Sequence, residues 1–305
     1  MKKILAGMIS AIFCLGGCSS VSQEAQSTAQ EDIQVVTSFY PIYILALNIT
    51  DGVEGVSVTN MTQPQTGCLH DYELTTEDMK QLETADLFLI NGLGMEGFLG
   101  DVMEQYPDVW IGDTSEGAQV LSAAEHDHDH GAEETEGNAH IWLNPTNAVI
   151  QAENIRDFLT QADPAHAVQY EQNAQKFAES MTDVIRAAEA LAEQGGRKAA
   201  VFHEGFAYLA DVCAIEAAVG IYADENEEPS AQEMAQAADV IQAEGITLFL
   251  TAEDAGKKYA DTLAAESTSE ASVVILNPLT SGDENKDAYR LGMEENLEVL
   301  SEALS

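Results

Sequence analysis

Basic residues are scarce in this chain of 305 residues: 12 Lys and Arg stand against 53 Asp and Glu, a formal net charge of −41. So acidic a surface repels phosphate backbones, which excludes nucleic acid as a partner, and it offers no basic patch for anionic lipid. It attracts cations. Cysteine is scarce as well, with four in the chain, too few for a disulfide framework. Past the N-terminus no run approaches the roughly 18 apolar residues of a membrane-spanning helix. HExxH and GxSxG are both absent, so neither a zinc-peptidase helix nor a serine-hydrolase elbow is signalled. What the chain does have is apolar material, 45% of its residues, enough to bury real cores at a length that suits two domains.

The N-terminus gives an address. Lys2 and Lys3 precede an apolar stretch from Ile4 to Leu15, too short to span a bilayer and patterned like a signal peptide. Leu15-Gly16-Gly17-Cys18 resembles the bacterial lipobox. That resemblance implies cleavage before Cys18, a lipid on its thiol, and an extracytoplasmic protein anchored to the cell membrane. Residues 1–17 are then signal and 18–32 a lipidated polar tether. Cys14 leaves with the signal; Cys68 and Cys213 remain, and spacing does not show whether they pair.

Strand and helix patterns alternate along the rest. β-branched and apolar runs at 33–39, 53–60, 86–90 and 109–111 read as strands, with helices between them. Thr75 with acids behind it marks a helix start. Residues 122–139 carry no periodicity and read as a loop. Asp163-Pro164 opens a helix with no Gly or Pro before Gly195, about 46 Å if unbroken. Its apolar face is Tyr170, Ala174, Phe177, Met181, Val184, Ala188 and Leu191; two shorter helices with a bend is the alternative. Strands at 199–202, 246–250 and 273–276 and helices at 205–213, 230–243, 255–265 and 287–304 follow. The expected fold is α/β: two α/β lobes with mainly parallel sheets, 33–162 and 196–305, joined by a long rigid helix at 163–195. Ligands of such sheets sit beyond the strand carboxyl ends, so the site is expected in the cleft between lobes.

Seven histidines supply the candidate chemistry. His70 lies beyond a strand, His140 ends the acidic loop, and His203 directly follows a strand, so all three can lie at the carboxyl-end face. Three imidazoles and an oxygen make a common zinc set. The separations, 70 and 63 residues, follow no local rule, and ordinary hydrogen-bonded loop histidines are the plain alternative. His126, His128 and His130 alternate with acids in Glu125–His130 and offer weak N/O ligands. From Cys18 to Ile155 the only basic residue is Lys80, against 24 acids, a field that concentrates divalent cations.

Several ordered motifs carry a family resemblance. His70–Thr75 (HDYELT), Asp86–Glu96 (DLFLINGLGME), His140–Pro145 (HIWLNP), Phe202–Leu209 (FHEGFAYL), Glu228-Pro229-Ser230 and Leu276–Leu279 (LNPL) resemble the metal-binding solute-binding proteins of bacterial ABC importers over nearly everything after Ile33. The resemblance implies that His70, His140 and His203 are the ligands of a zinc-type site, with Zn2+ as the transported ligand. Manganese-type relatives carry a carboxylate where His203 stands. The fourth ligand stays open. Thr280 occupies the place of a Glu in some relatives, leaving Asp283, Glu284, Glu204 or water. Cys68 packs in its loop or approaches the metal. The His-rich loop resembles the auxiliary metal loop of zinc-type relatives. The implied partner is an importer permease, the implied state a monomer, and the implied role a receptor and not an enzyme. The competing readings are a manganese or other divalent-metal receptor or adhesin, and a zinc hydrolase using Glu204 or Asp71 as base.

Overall fold

The computed structural model describes residues 32–62, 69, 72–122, 137–222, 228–253, 256–267 and 270–305. Signal, tether and Cys18, the His70-Asp71 pair, Cys68 and the loop histidines His126, His128 and His130 lie outside the described residues. Asp32–Ser305 forms one compact unit. Among its described residues no helix is long and apolar enough to cross a membrane.

The first lobe runs β1 (Ile33–Thr37), α1 (Tyr40–Ile49), β2 (Val56–Asn60), α2 (Thr76–Glu83), β3 (Leu87–Ile90), α3 (Leu99–Gln105), β4 (Trp110–Asp113) and α4 (Pro145–Ala162). Its strands lie in the order β2-β1-β3-β4, every pairing parallel. The capping signal at Thr75 holds. Thr75 accepts from the Asp78 amide while the Asp78 carboxylate accepts from Thr75, and Asn144 caps α4 ahead of Pro145. α3 starts later than its apolar pattern suggests, because Gly92, Leu93 and Gly94 all take left-handed backbone and Glu96 is turned inward.

α5 (Ala167–Ser180) and α6 (Thr182–Ala192) follow. They are the expected long helix with a one-residue irregularity at Met181. Backbone bonds still run through it, from the Met181 amide to Phe177 O at 3.1 Å and from the Ile185 amide to Met181 O at 2.9 Å. Ser180 Oγ donates to the same Phe177 carbonyl at 2.7 Å, the kind of hydroxyl back-bonding that perturbs a helix. All seven residues of the expected apolar face are buried. α5 packs on α1 and α4, and α6 on α10 and α7, so this element does touch both lobes. Its start differs from expectation. Pro164–His166 is a 3-10 turn, and buried Asp163 accepts from His166 Nδ1 at 2.5 Å and the Tyr170 hydroxyl at 2.9 Å, with the Ala165 amide a further donor. His166, which reads in sequence as a surface residue, thus fastens the turn.

The second lobe runs β5 (Arg197–Val201), α7 (Phe206–Val212), β6 (Ile215–Gly220), α8 (Ala231–Glu244), β7 (Leu248–Thr251), α9 (Lys257–Glu266), β8 (Ser272–Ile275) and α10 (Ala288–Leu304). Its order, β6-β5-β7-β8, is again all parallel. β6 is absent from the sequence reading: Glu216-Ala217-Ala218 lacks the β-branched and aromatic residues that announce a strand, and its edge place asks little of them. One apolar core runs from β1 to α10 through both lobes. A second cluster, around Phe202 and Phe249, covers the other face of the β5–β8 sheet.

Candidate metal site at the lobe junction

Both sheets reverse strand order beside their first strand, β1 in one lobe and β5 in the other, and the crevice beyond such a switch is where ligands settle. His203 lies two residues past β5. His140 reaches the same place from the first lobe, buried at 4% exposure. The two ring centres are 5.1 Å apart. So two of the three expected ligands, one from each lobe, converge; His70 is outside the described residues. Glu204 joins them, with Oε2 3.9 Å from His140 Nδ1. Among the described residues no group of three or more His, Cys, Asp or Glu is placed to hold a metal ion.

His140 is held from below by a buried polar network. The Glu96 carboxylate accepts from Ser38 Oγ at 2.8 Å and from the Asn91 and Gly92 amides at 2.7 and 3.1 Å, binding the carboxyl ends of β1 and β3 together. Gly92 is required here: its φ is +88°, and a Cβ would lie 2.1 Å from Asp113 Oδ1. Asn91 Nδ2 donates to the Ala139 carbonyl at 2.9 Å, next to His140, and Gln151 Nε2 donates to Asn91 Oδ1 and Thr114 Oγ1. Burial, with the charge of Asp113 adding to it, pushes the Glu96 carboxyl up to about 7 against the pull of its three donors.

Toward the other lobe, Asn138 Nδ2 donates to Glu204 O at 3.0 Å, and the Tyr208 hydroxyl donates to Asn138 O at 2.7 Å while accepting from the Leu121 amide at 3.1 Å. Asn138 N also donates to Leu121 O at 2.8 Å. The two ends of the His-rich loop are thereby closed on each other and fastened to α7. Burial, with Glu204 and Asp211 nearby, pushes the Tyr208 phenol up to about 12, so it stays protonated as this bridge needs. Gly205 makes the approach possible, since a Cβ there would meet Leu143 Cδ1 at 2.6 Å and His140 Cβ and Cδ2 at 3.0 Å.

Asp283 and Glu284 are exposed on the segment before α10, where the Tyr40 hydroxyl donates to Asp283 O at 2.7 Å. Thr280 is buried at 7% exposure. Cys213 is a free, buried thiol that burial pushes up to about 12, an inert packing residue. Asn138, Glu96 and Gly205 are the residues that sequence reasoning missed in these roles. Glu96 and Gly205 do fall inside motifs it singled out.

Residues 35–303 match the family described as zinc-uptake complex component A, periplasmic. The chain belongs to this family. It is 30% identical over 98% of its length to the zinc-binding protein AdcA of Streptococcus pyogenes, and spans 61% of that longer relative. It is 27% identical to the high-affinity zinc uptake system protein ZnuA of Bacillus subtilis, covering 97% of this chain and 96% of the relative. The SBP FpvC of Pseudomonas aeruginosa, solved in complex with Mn2+, shares the fold with a TM-score of 0.80 at 22% identity over 90% of this chain and 99% of its own.

Proposed function

We propose that this chain is an extracytoplasmic zinc receptor that captures Zn2+ at the lobe junction and delivers it to the permease of an ABC importer. The observation that carries the reading is the meeting of His140 and His203. Their ring centres lie 5.1 Å apart, close enough for one ion to reach a nitrogen of each once the rings turn toward it. His70 is the third ligand in this reading, and Glu204, Asp283, Glu284 or water the fourth. Imidazole ligands favour zinc, whereas manganese suits oxygen. The zinc-protein names of the relatives support the same cargo; the Mn2+ held by FpvC makes manganese the alternative. His126, His128 and His130 form an auxiliary, weaker collecting loop. Lipid on Cys18 keeps the receptor, a monomer, at the membrane. Capture and release need no catalysis, so zinc-loaded protein is expected to be inactive on ester and peptide substrates.

Titration of the chain with zinc and with manganese against a competing chelator tests the reading. Zinc should bind far more tightly, and His140→Ala and His203→Ala should each weaken it. Tighter manganese binding, or zinc affinity indifferent to both substitutions, overturns the proposal.

A further inference from the structure

A histidine binds metal through a nitrogen that carries no proton, so which ring nitrogen holds the proton decides whether the ring is ready. The contacts of Asn138 settle this for His140. The His140 amide donates to Asn138 Oδ1 at 3.0 Å, and an N–H has nothing to accept with, so that end of the side chain is the oxygen. At the other end Nδ2 donates to the Glu204 carbonyl at 3.0 Å, and a carbonyl has nothing to donate. Both partners fix the amide the same way round. His140 Nδ1, 3.0 Å from the same Oδ1, must then be the donor. In the neutral ring its proton is then on Nδ1, and Nε2 is the lone-pair nitrogen. Glu204 Oε2, 3.9 Å from Nδ1, lies on the protonated side as well.

We infer that Asn138 is a positioning residue: it presets His140 to ligate through Nε2 before metal arrives. This deepens the zinc-receptor reading and rests on it for the metal step alone. The clamp spans the lobes. Asn138 is 2% exposed, and its amide and carbonyl are tied to Glu204 and Tyr208 of the second lobe. The preset ring is therefore tied to the second lobe. Metal-ligating histidines are commonly oriented by such an acceptor, and its loss typically costs about 10–100-fold in metal affinity.

Histidine-labelled 15N NMR of the metal-free full chain, with long-range proton–nitrogen correlations, reads the proton position on His140 directly. Wild type should show it on Nδ1. Asn138→Asp keeps an acceptor and should keep that state, whereas Asn138→Leu should move His140 toward the Nε2-protonated form and weaken zinc by about 10–100-fold in a chelator competition. A wild-type ring protonated on Nε2 overturns the inference without recourse to any variant. So does an Asn138→Leu ring that stays on Nδ1, which would assign the role to Glu204. If wild type shows the Nδ1 state yet zinc binding ignores His140→Ala and His203→Ala, the positioning stands and the receptor reading falls.

Discussion

The two lobes repeat one strand order and each sends a histidine to the same junction, but they hold it differently. His140 is buried, donates from its ring to Asn138, and sits beside a carbonyl fixed by the Asn91–Glu96–Gln151 network. His203 is half-buried, and its Nδ1 accepts from the Gly205 amide at 3.1 Å. An amide only donates, so this neutral ring carries its proton on Nε2, opposite to His140. To ligate through Nε2, His203 must shift its proton to Nδ1 and turn from Gly205. On the zinc-receptor reading one ligand would be preset and its counterpart would adjust, an arrangement that suits a cargo that has to enter and leave.

The largest break in this comparison is removal of the preset ring. His140→Ala should weaken zinc by more than about 100-fold, beyond the usual cost of losing an orienting group, as measured by chelator competition. Next is the network beneath it. The folded Glu96 carboxyl, near 7 against 4.5 for an exposed one, holds a proton that the unfolded chain has shed between those values. Its contribution is full below about pH 4.5 and is lost as pH rises through about 7, worth roughly 3 kcal/mol. Urea unfolding of metal-free protein should show this fall, and Glu96→Gln should flatten it. Gly205→Ala puts a methyl group against Leu143 and His140 and should cost about 1–3 kcal/mol of stability together with zinc affinity. The smallest effect at the junction is expected from deleting residues 125–136: total zinc stoichiometry drops, while the tight site changes by less than about threefold, a difference calorimetry resolves.

These contrasts explain what the sequence made legible. β3 and β7 are short runs buried throughout, β1 is β-branched-rich and buried over its second half, and the α5–α6 face repeats every three or four residues, so pattern alone finds them. β6 is an alanine-rich edge that pattern does not find. The carboxyl-end placement of His140 and His203 follows from strand–helix alternation, but only motif resemblance pairs them, because no local spacing links residues 63 apart. The supporting groups were hidden for a different reason. Glu96 serves Ser38 from 58 positions away, and Asn138 serves Glu204 from 66. Only the folded chain brings such partners together. A glycine before an apolar helix reads as a turn, and that Gly205 clears space for His140 is visible only in three dimensions.

X-ray absorption at the zinc edge, on the full chain loaded with one equivalent of metal, tests the central claim most directly. The account predicts about three imidazole ligands at about 2.0–2.1 Å, falling by one in His140→Ala and by one in His203→Ala. A first shell of oxygens or sulfur, or an imidazole count that neither substitution changes, would contradict it.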